Sequence, residues 1–189
     1  MEPILKDFPH IIESERLTIR CPLPGDGPAL YEAVLESLDD LRPWLPWAID
    51  NPSIAKTEEN VRRGHARFLT REDLWLLLFL KNTNTCIGGS GLHRIDWTVP
   101  KFEIGYWLRS SYVGQGYMAE AVTAISQFAF NTLNAKRVEI RCDARNERSA
   151  SVARRLHFTH EGTLRREARH HITGELRDTL VFAKISAEE

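Results

Sequence analysis

The chain has 189 residues, 42% of them apolar, which suits one folded domain spanning 1–189 with a sizeable core and argues against general disorder. Lysine plus arginine number 25 against 26 acidic residues, a formal charge of -1. No global positive field exists to hold nucleic acid, so no direct nucleic-acid partner is expected beyond what a local basic patch would give.

Met1 to His10 carries Glu2, Asp7 and two prolines but no apolar run, so no signal peptide is read there. Arg16 to Arg20 alternates as a strand. Pro24-Gly25-Asp26-Gly27-Pro28 breaks it, and Asp26 is placed to cap a helix to about Leu38 with Leu30, Val34, Leu35 and Leu38 on one face. Leu41 to Pro52, with two tryptophans and three prolines, reads as an irregular loop or short helix. Thr57 is the expected cap of a second helix ending near Arg71, with Glu58 and Glu59 at its positive end.

Leu74 to Lys81 and Cys86 to Ile95 form a predicted hairpin around Asn82-Thr83-Asn84. The apolar run Leu74 to Leu80 is far too short to span a bilayer. Phe102 to Leu108 is a further strand. Phe102, Ile104, Tyr106 and Leu108 share one face, with Glu103, Gly105 and Trp107 on the other. A helix is expected from about Gly116 to Asn131, with Met118, Ala121, Val122, Ile125, Phe128 and Ala129 at helical period. Arg137 to Cys142 reads as a strand and Asn146 to about Leu156 as a short helix. Phe158 to Arg166 and Leu176 to Ile185 read as a closing hairpin. Three consecutive strands lead directly into the central helix, which suggests a mixed sheet with helices on both faces, an α/β (α+β) fold.

The three cysteines, Cys21, Cys86 and Cys142, are far apart and form no CxxC pair. That argues against a disulfide framework and a structural zinc site, and no metal is expected. Reduced thiols in a cytoplasmic protein are the expectation.

Tyr106 to Ala121 is the most informative segment: a strand ends, Gly114-Gln115-Gly116 turns, and a helix begins. Such a turn aims backbone N–H groups at an anion beside the positive end of a helix dipole. The spacing lacks the third glycine of a dinucleotide fingerprint and the Gly-Lys-Ser/Thr of a phosphate loop, and a tight turn without ligand stays open. Asn146 and Ser149 lie one turn apart on one helix face, where Asn146 alone would serve as an N-cap.

The run FEIGYWLRSSYVGQGYMAEA resembles the pyrophosphate-binding motif of the GNAT acetyltransferases. The downstream RCDARNERSASVARRLHFTHEGTLR is similar to the second cofactor motif of the RimJ/RimL-like branch, which acetylates ribosomal-protein N-termini. LRPWLPW resembles the tryptophan-bearing substrate loop of that branch.

The resemblance implies a mostly antiparallel, twisted sheet, splayed between the fourth and fifth strands of this reading, and acetyl-CoA as co-substrate. It implies that amides around Val113, Gly114, Gln115, Gly116, Tyr117 and Met118 bind the pyrophosphate. Trp107 and Leu108 would flank the pantetheine arm at a bulge near Gly105 to Trp107, and a Leu108 amide would polarise the thioester carbonyl. Asn146 would contact pantetheine, and Ser149 would protonate the leaving thiolate. The family pattern has Gln or Arg where this chain has Ser111, and Arg109 is the expected source of that charge.

Glu103, on the strand beside the expected thioester, is the candidate base, with His93 on the neighbouring strand competing. Trp44 and Trp47 would wall the acceptor pocket. The run Arg165 to His171 reads as a solvated hairpin or a contact for an acidic partner. The resemblance implies transfer by direct attack in a ternary complex, most readily to a protein α-amine, and a homodimer. Acetylation of a polyamine, amino acid or antibiotic, and a non-catalytic acyl-CoA sensor, remain alternatives. A sensor would dispense with Ser149 and Glu103.

Overall fold

The structure, a computed structural model, describes residues 2–48 and 50–186. Ile49, inside the predicted Leu41 to Pro52 segment, and the chain ends lie outside them. Eight strands form one sheet in the order β1-β2-β3-β4-β5-β6-β8-β7. They are β1 (Ile11–Glu13), β2 (Leu17–Arg20), β3 (Leu74–Leu80), β4 (Cys86–Asp96), β5 (Lys101–Leu108), β6 (Arg137–Asp143), β7 (Thr159–Arg169) and β8 (Leu176–Ile185). The helices are α1 (Gly27–Leu41), α2 (Ile54–Leu69), α3 (Tyr117–Asn131) and α4 (Glu147–Arg155). Pro46–Ala48 forms a 3-10 turn. Among the described residues no helix is long and apolar enough to cross a membrane.

Side-chain alternation along β3 assigns the two faces. Leu74, Leu76 and Leu78 pack with Phe102, Ile104, Ala121, Val122, Ile125 and Phe128, which buries α3 and α4 on one side. Leu77 and Phe79 pack with Leu30, Ala33, Val34, Leu38 and Val61, which buries α1 and α2 on the other. Helices on both faces follow, as the element order predicts.

All strand pairs are antiparallel except β5 with β6. That parallel pair holds only through Lys101–Arg137, Phe102–Val138 and Glu103–Glu139. Beyond Glu103 the sheet splays, at the pair predicted as fourth and fifth, because one short strand the sequence reading missed, β1, precedes the count.

Several local expectations need correction. Asp26 does not cap α1 through its side chain. Its carboxylate is taken by the Arg20 guanidinium and the Leu23 amide. Glu58 of α2 does the capping instead, accepting from the amides of Gly25 and Gly27. Helix α1 runs on to Leu41, and Leu35 points to solvent, 49% exposed. The cap of α2 is Ser53, which accepts from the Lys56 amide, while the buried Thr57 donates to Ser53 O. The bulge expected near Gly105 to Trp107 is absent, since β4 and β5 keep register from Gly88–Leu108 to His93–Glu103. The irregularity lies on β4 between His93 and Asp96, where Arg94 takes a φ of 46°. Strand β7 continues to Arg169, past a register shift between Leu164 and Ala168.

Candidate active site

The splay creates a cleft with an unpaired strand edge. Arg109 N donates to Ile87 O, and Gly105 O accepts from the Ser90 hydroxyl, both towards β4. Alternation then turns the backbone N–H and C=O groups of Tyr106 and Leu108 towards β6, which has already diverged. Those groups are available to an extended amide-bearing arm, as a pantetheine would be.

The glycine turn lies at the open end of the cleft. Gly114 and Gly116 adopt φ of 81° and 82°, in the left-handed region that a Cβ disfavours. Gly116 is the N-cap of α3 and has no side chain to cap with. Among the described residues nothing accepts a hydrogen bond from the amides of 114 to 119. These free donors meet the N-terminal end of the helix dipole, the arrangement that binds phosphate. A Cβ built at Gly114 would meet nothing within 4 Å, so there is room for a ligand against the backbone. The turn therefore fits a pyrophosphate.

The side chains nearby divide by role. Val113 is exposed at the turn. The Gln115 side chain folds back to donate to Ser111 O, and Tyr117 packs edge-on against Tyr112. Met118 is a core residue, so only its amide faces the turn. Arg109 does not supply charge there: its Nε lies 2.6 Å from Glu36 Oε2 on α1. Ser111 N also donates to Glu36, and Ser110 to Asp40, so this whole loop is fastened to α1. The cation beside the glycine turn is Arg16, which the sequence reading did not select. Its Nη1 donates to Gln115 O at 3.1 Å, and its guanidinium sits 4.2 Å above the Tyr117 ring. Glu120 holds it, accepting from Arg16 Nε and Arg16 N. Only the conjunction of β2 with α3, which sequence spacing does not reveal, brings these groups together.

Across the cleft, Asn146 caps α4 by accepting from Ser149 N. Its side-chain Nδ2 donates to nothing among the described residues. Ser149 Oγ is 3.1 Å from the Tyr106 hydroxyl. Burial raises the Tyr106 pKa well above the ordinary phenol range, so that hydroxyl stays neutral. Cys142 lies against Ser149, but burial raises its thiol pKa too. Burial likewise raises Cys21 and pushes Cys86 up to about 11. All three cysteines are buried free thiols, poorly suited to act as acyl carriers.

On the α1/α2 face, Trp107 packs edge-to-face with Trp47, ring centres 5.8 Å apart. Trp44 and Trp47 are exposed. Glu103 and His93 are directly opposed on β5 and β4, on this same face. Burial raises the Glu103 pKa, opposed by Arg94, whose Nε is 3.5 Å away. His93 Nδ1 is 2.6 Å from Asp73 Oδ1, a partner the sequence reading missed. The hairpin of β7 and β8 closes over the tryptophan segment, with His170 Nε2 bonded to Pro43 O and His171 Nε2 to Arg42 O. No cluster of metal-ligating side chains occurs among the described residues.

Comparison with known proteins gives the family. Residues 16–159 match the family described as acetyltransferase (GNAT) domain. A Bacillus subtilis protein, YdaF, provisionally named a ribosomal N-acetyltransferase, is 32% identical over 157 residues, covering 80% of this chain and 82% of its own. The ribosomal-protein-serine acetyltransferase of Escherichia coli is 27% identical over 155 residues, covering 80% and 84%. A solved structure of RimL, ribosomal L7/L12 alpha-N-protein acetyltransferase, in complex with coenzyme A superposes with a TM-score of 0.85 at 28% identity, covering 93% of this chain and 97% of that one. The chain belongs to the GNAT acetyltransferase family, and it is an acyltransferase that uses acetyl-CoA.

Proposed function

We propose that this enzyme acetylates the α-amine at a protein or peptide N-terminus, by direct attack in a ternary complex. The observation that carries the acceptor class is the match along 93% of the chain to an enzyme described as an alpha-N-protein acetyltransferase. The name of the Escherichia coli relative, a ribosomal-protein-serine acetyltransferase, supports the same class.

Proton chemistry fits that choice. An α-amine has a pKa near ~8 and a lysine side chain near ~10.4. At pH 7 roughly a tenth of the former is neutral, against well under a thousandth of the latter. An α-amine therefore needs only modest help from a base.

Roles follow from the cleft. The amides of 114 to 118 bind the pyrophosphate, and the free edge of β5 at Tyr106 and Leu108 binds the pantetheine arm, with Trp107 between them and Asn146 opposite. The Leu108 amide polarises the thioester carbonyl, a contribution of ~3 kcal/mol for donors of this kind. Ser149 gives a proton to the departing sulfur. Glu103 and His93 stand where the acceptor amine enters, walled by Trp44 and Trp47. The chain, one domain over 1–189, works in the cytoplasm as a homodimer on a protein partner.

The test is thiol release from acetyl-CoA across serine- and alanine-initiated peptides, polyamines, amino acids and aminoglycosides. Release with peptides alone supports the proposal. Release with a small amine alone would replace the acceptor class. Acetyl-CoA binding without release on any acceptor would favour an acyl-CoA sensor.

A further inference from the structure

On the acceptor face, His93 and Asp73 form a dyad. Asp73 lies in the connection between α2 and β3, its amide 3.4 Å from Arg67 O. Its Oδ1 stands 2.6 Å from His93 Nδ1, although the two residues are 20 positions apart. A carboxylate only accepts, so this contact places the proton of the neutral ring on Nδ1 and leaves Nε2 with its lone pair. No hydrogen bond from Nε2 to any described residue is present, and the side chain is 32% exposed.

The ring lies on a floor of glycines. A Cβ at Gly105 would stand 3.2 Å from His93 Cδ2, and one at Gly91 would stand 2.8 Å from His93 Cε1. Only bare backbone at both positions lets the imidazole lie against the sheet. Gly105 comes two residues after Glu103, where pairing with β6 ends. The ring therefore covers β5 at the mouth of the cleft. Ser149 and Tyr106 approach the same stretch of β5 from the opposite face of the sheet.

We propose that His93 is the catalytic base that takes the acceptor amine's proton at Nε2, and that Asp73 is its positioning residue. The proposal rests on the direct-attack reading above. The ammonium of the acceptor loses one proton through Nε2 to solvent. The neutral nitrogen forms a bond to the acetyl carbon as the carbon–sulfur bond breaks. The second amine proton also passes to Nε2, the sulfur takes the Ser149 hydroxyl proton, and solvent returns the proton from Nε2 to the Ser149 oxygen. The sum is amide, free thiol and one released proton.

Glu103 suits this task less well. It is paired with Arg94, whereas His93 Nε2 is free. Imidazole is also the side chain that exchanges protons near neutral pH, where base catalysis is most efficient. The charged groups around the ring are Asp73 before β3, Arg94 on β4 and Glu103 on β5, with Glu139 and Arg141 of β6 beyond Glu103.

The test uses the full chain with acetyl-CoA and a serine-initiated peptide. H93Q is expected to lose about a hundredfold or more in kcat with its acetyl-CoA Kd unchanged, and to lose the acid limb of the kcat/KM profile. D73N should lose about tenfold and D73E should recover part of it, as expected of a residue that orients a base. In the protein without cofactor, nitrogen NMR of His93 should report a proton on Nδ1 in wild type and a mixture of tautomers in D73N. Wild-type kcat in H93Q, or a proton fixed on Nε2, would overturn the dyad while peptide acetylation by wild type left the transferase reading intact. Failure of the wild type to acetylate any amine would overturn both.

Discussion

The Tyr106 hydroxyl donates to Ser149 O at 3.0 Å and lies 3.1 Å from Ser149 Oγ, tying β5 to α4 across the splay. Burial keeps that phenol protonated. With its proton spent on Ser149 O, the serine hydroxyl retains its own to give. Ser149→Ala is therefore expected to lower kcat by about a hundredfold, with acetyl-CoA affinity nearly unchanged. Tyr106→Phe should cost about 1 kcal/mol of stability and a smaller part of kcat. Steady-state kinetics beside calorimetric titration of acetyl-CoA separates the two, and normal turnover in the alanine variant would remove Ser149 as proton donor.

The glycine turn gives a sharper test. Gly116→Trp puts a large side chain at φ 82° beside free amides, so loss of measurable acetyl-CoA binding is expected. Gly114→Ala meets no atom within 4 Å, so its cost is backbone strain of about 1–2 kcal/mol, read as a lower melting temperature. Unchanged acetyl-CoA affinity in a folded Gly116→Trp protein would dismiss the turn as the pyrophosphate site.

Arg16 and Glu120 brace this turn. Burial alone would raise the Glu120 pKa, but the Arg16 amide, the Ser14 hydroxyl and the Arg16 guanidinium together hold it below the ordinary value. A depressed carboxyl contributes stability that is present above its unfolded pKa and lost as pH falls through the folded one. Glu120→Gln should therefore flatten the acid side of the stability curve, below about pH 4.5, while destabilising the protein at neutrality. Arg16→Ala should weaken acetyl-CoA binding by about tenfold, since Gln115 O loses its donor and the turn loses its nearest cation. Thermal melts across pH and titration with acetyl-CoA read the two effects.

Periodicity made most of the fold legible. The hairpin from Leu74 to Asp96 and the helix after Gly116 carry patterns that buried faces impose, whatever the partner. Positions decided by a distant partner were not. Thr57 looked like the cap because Glu58 and Glu59 follow it, yet Glu58 turns to the start of α1, and Ser53 begins the helix. Arg109 sits close to the glycine turn in sequence but is bound to Glu36 of α1. Arg16 is 104 positions from Glu120, and Asp73 is hidden in a short connection. Glycine spacing and the Asn146–Ser149 pair were visible because each is local. The base dyad and the cation at the turn exist only once β2, β4 and the α2–β3 connection are assembled.

The histidine pair on the last hairpin supports the tryptophan segment proposed to wall the acceptor. His170 and His171 stack 4.9 Å apart, and each holds a carbonyl of the segment that carries Trp44 and Trp47. His170 Nδ1 accepts from the amides of Ile172 and Thr173, so its Nε2 carries the proton given to Pro43 O. A neutral ring serves both ends, and an imidazolium would lose the two amide contacts. The double variant His170→Ala, His171→Ala should release the tryptophan segment, raising the KM for a peptide acceptor by about tenfold while acetyl-CoA affinity holds. Two lost hydrogen bonds at about 1 kcal/mol each set a ceiling of roughly 30-fold. His170→Gln alone, which keeps a donor, should recover most of the acceptor affinity. Equal KM values in wild type and the double variant would separate the hairpin from the acceptor site and leave it as an edge of the sheet.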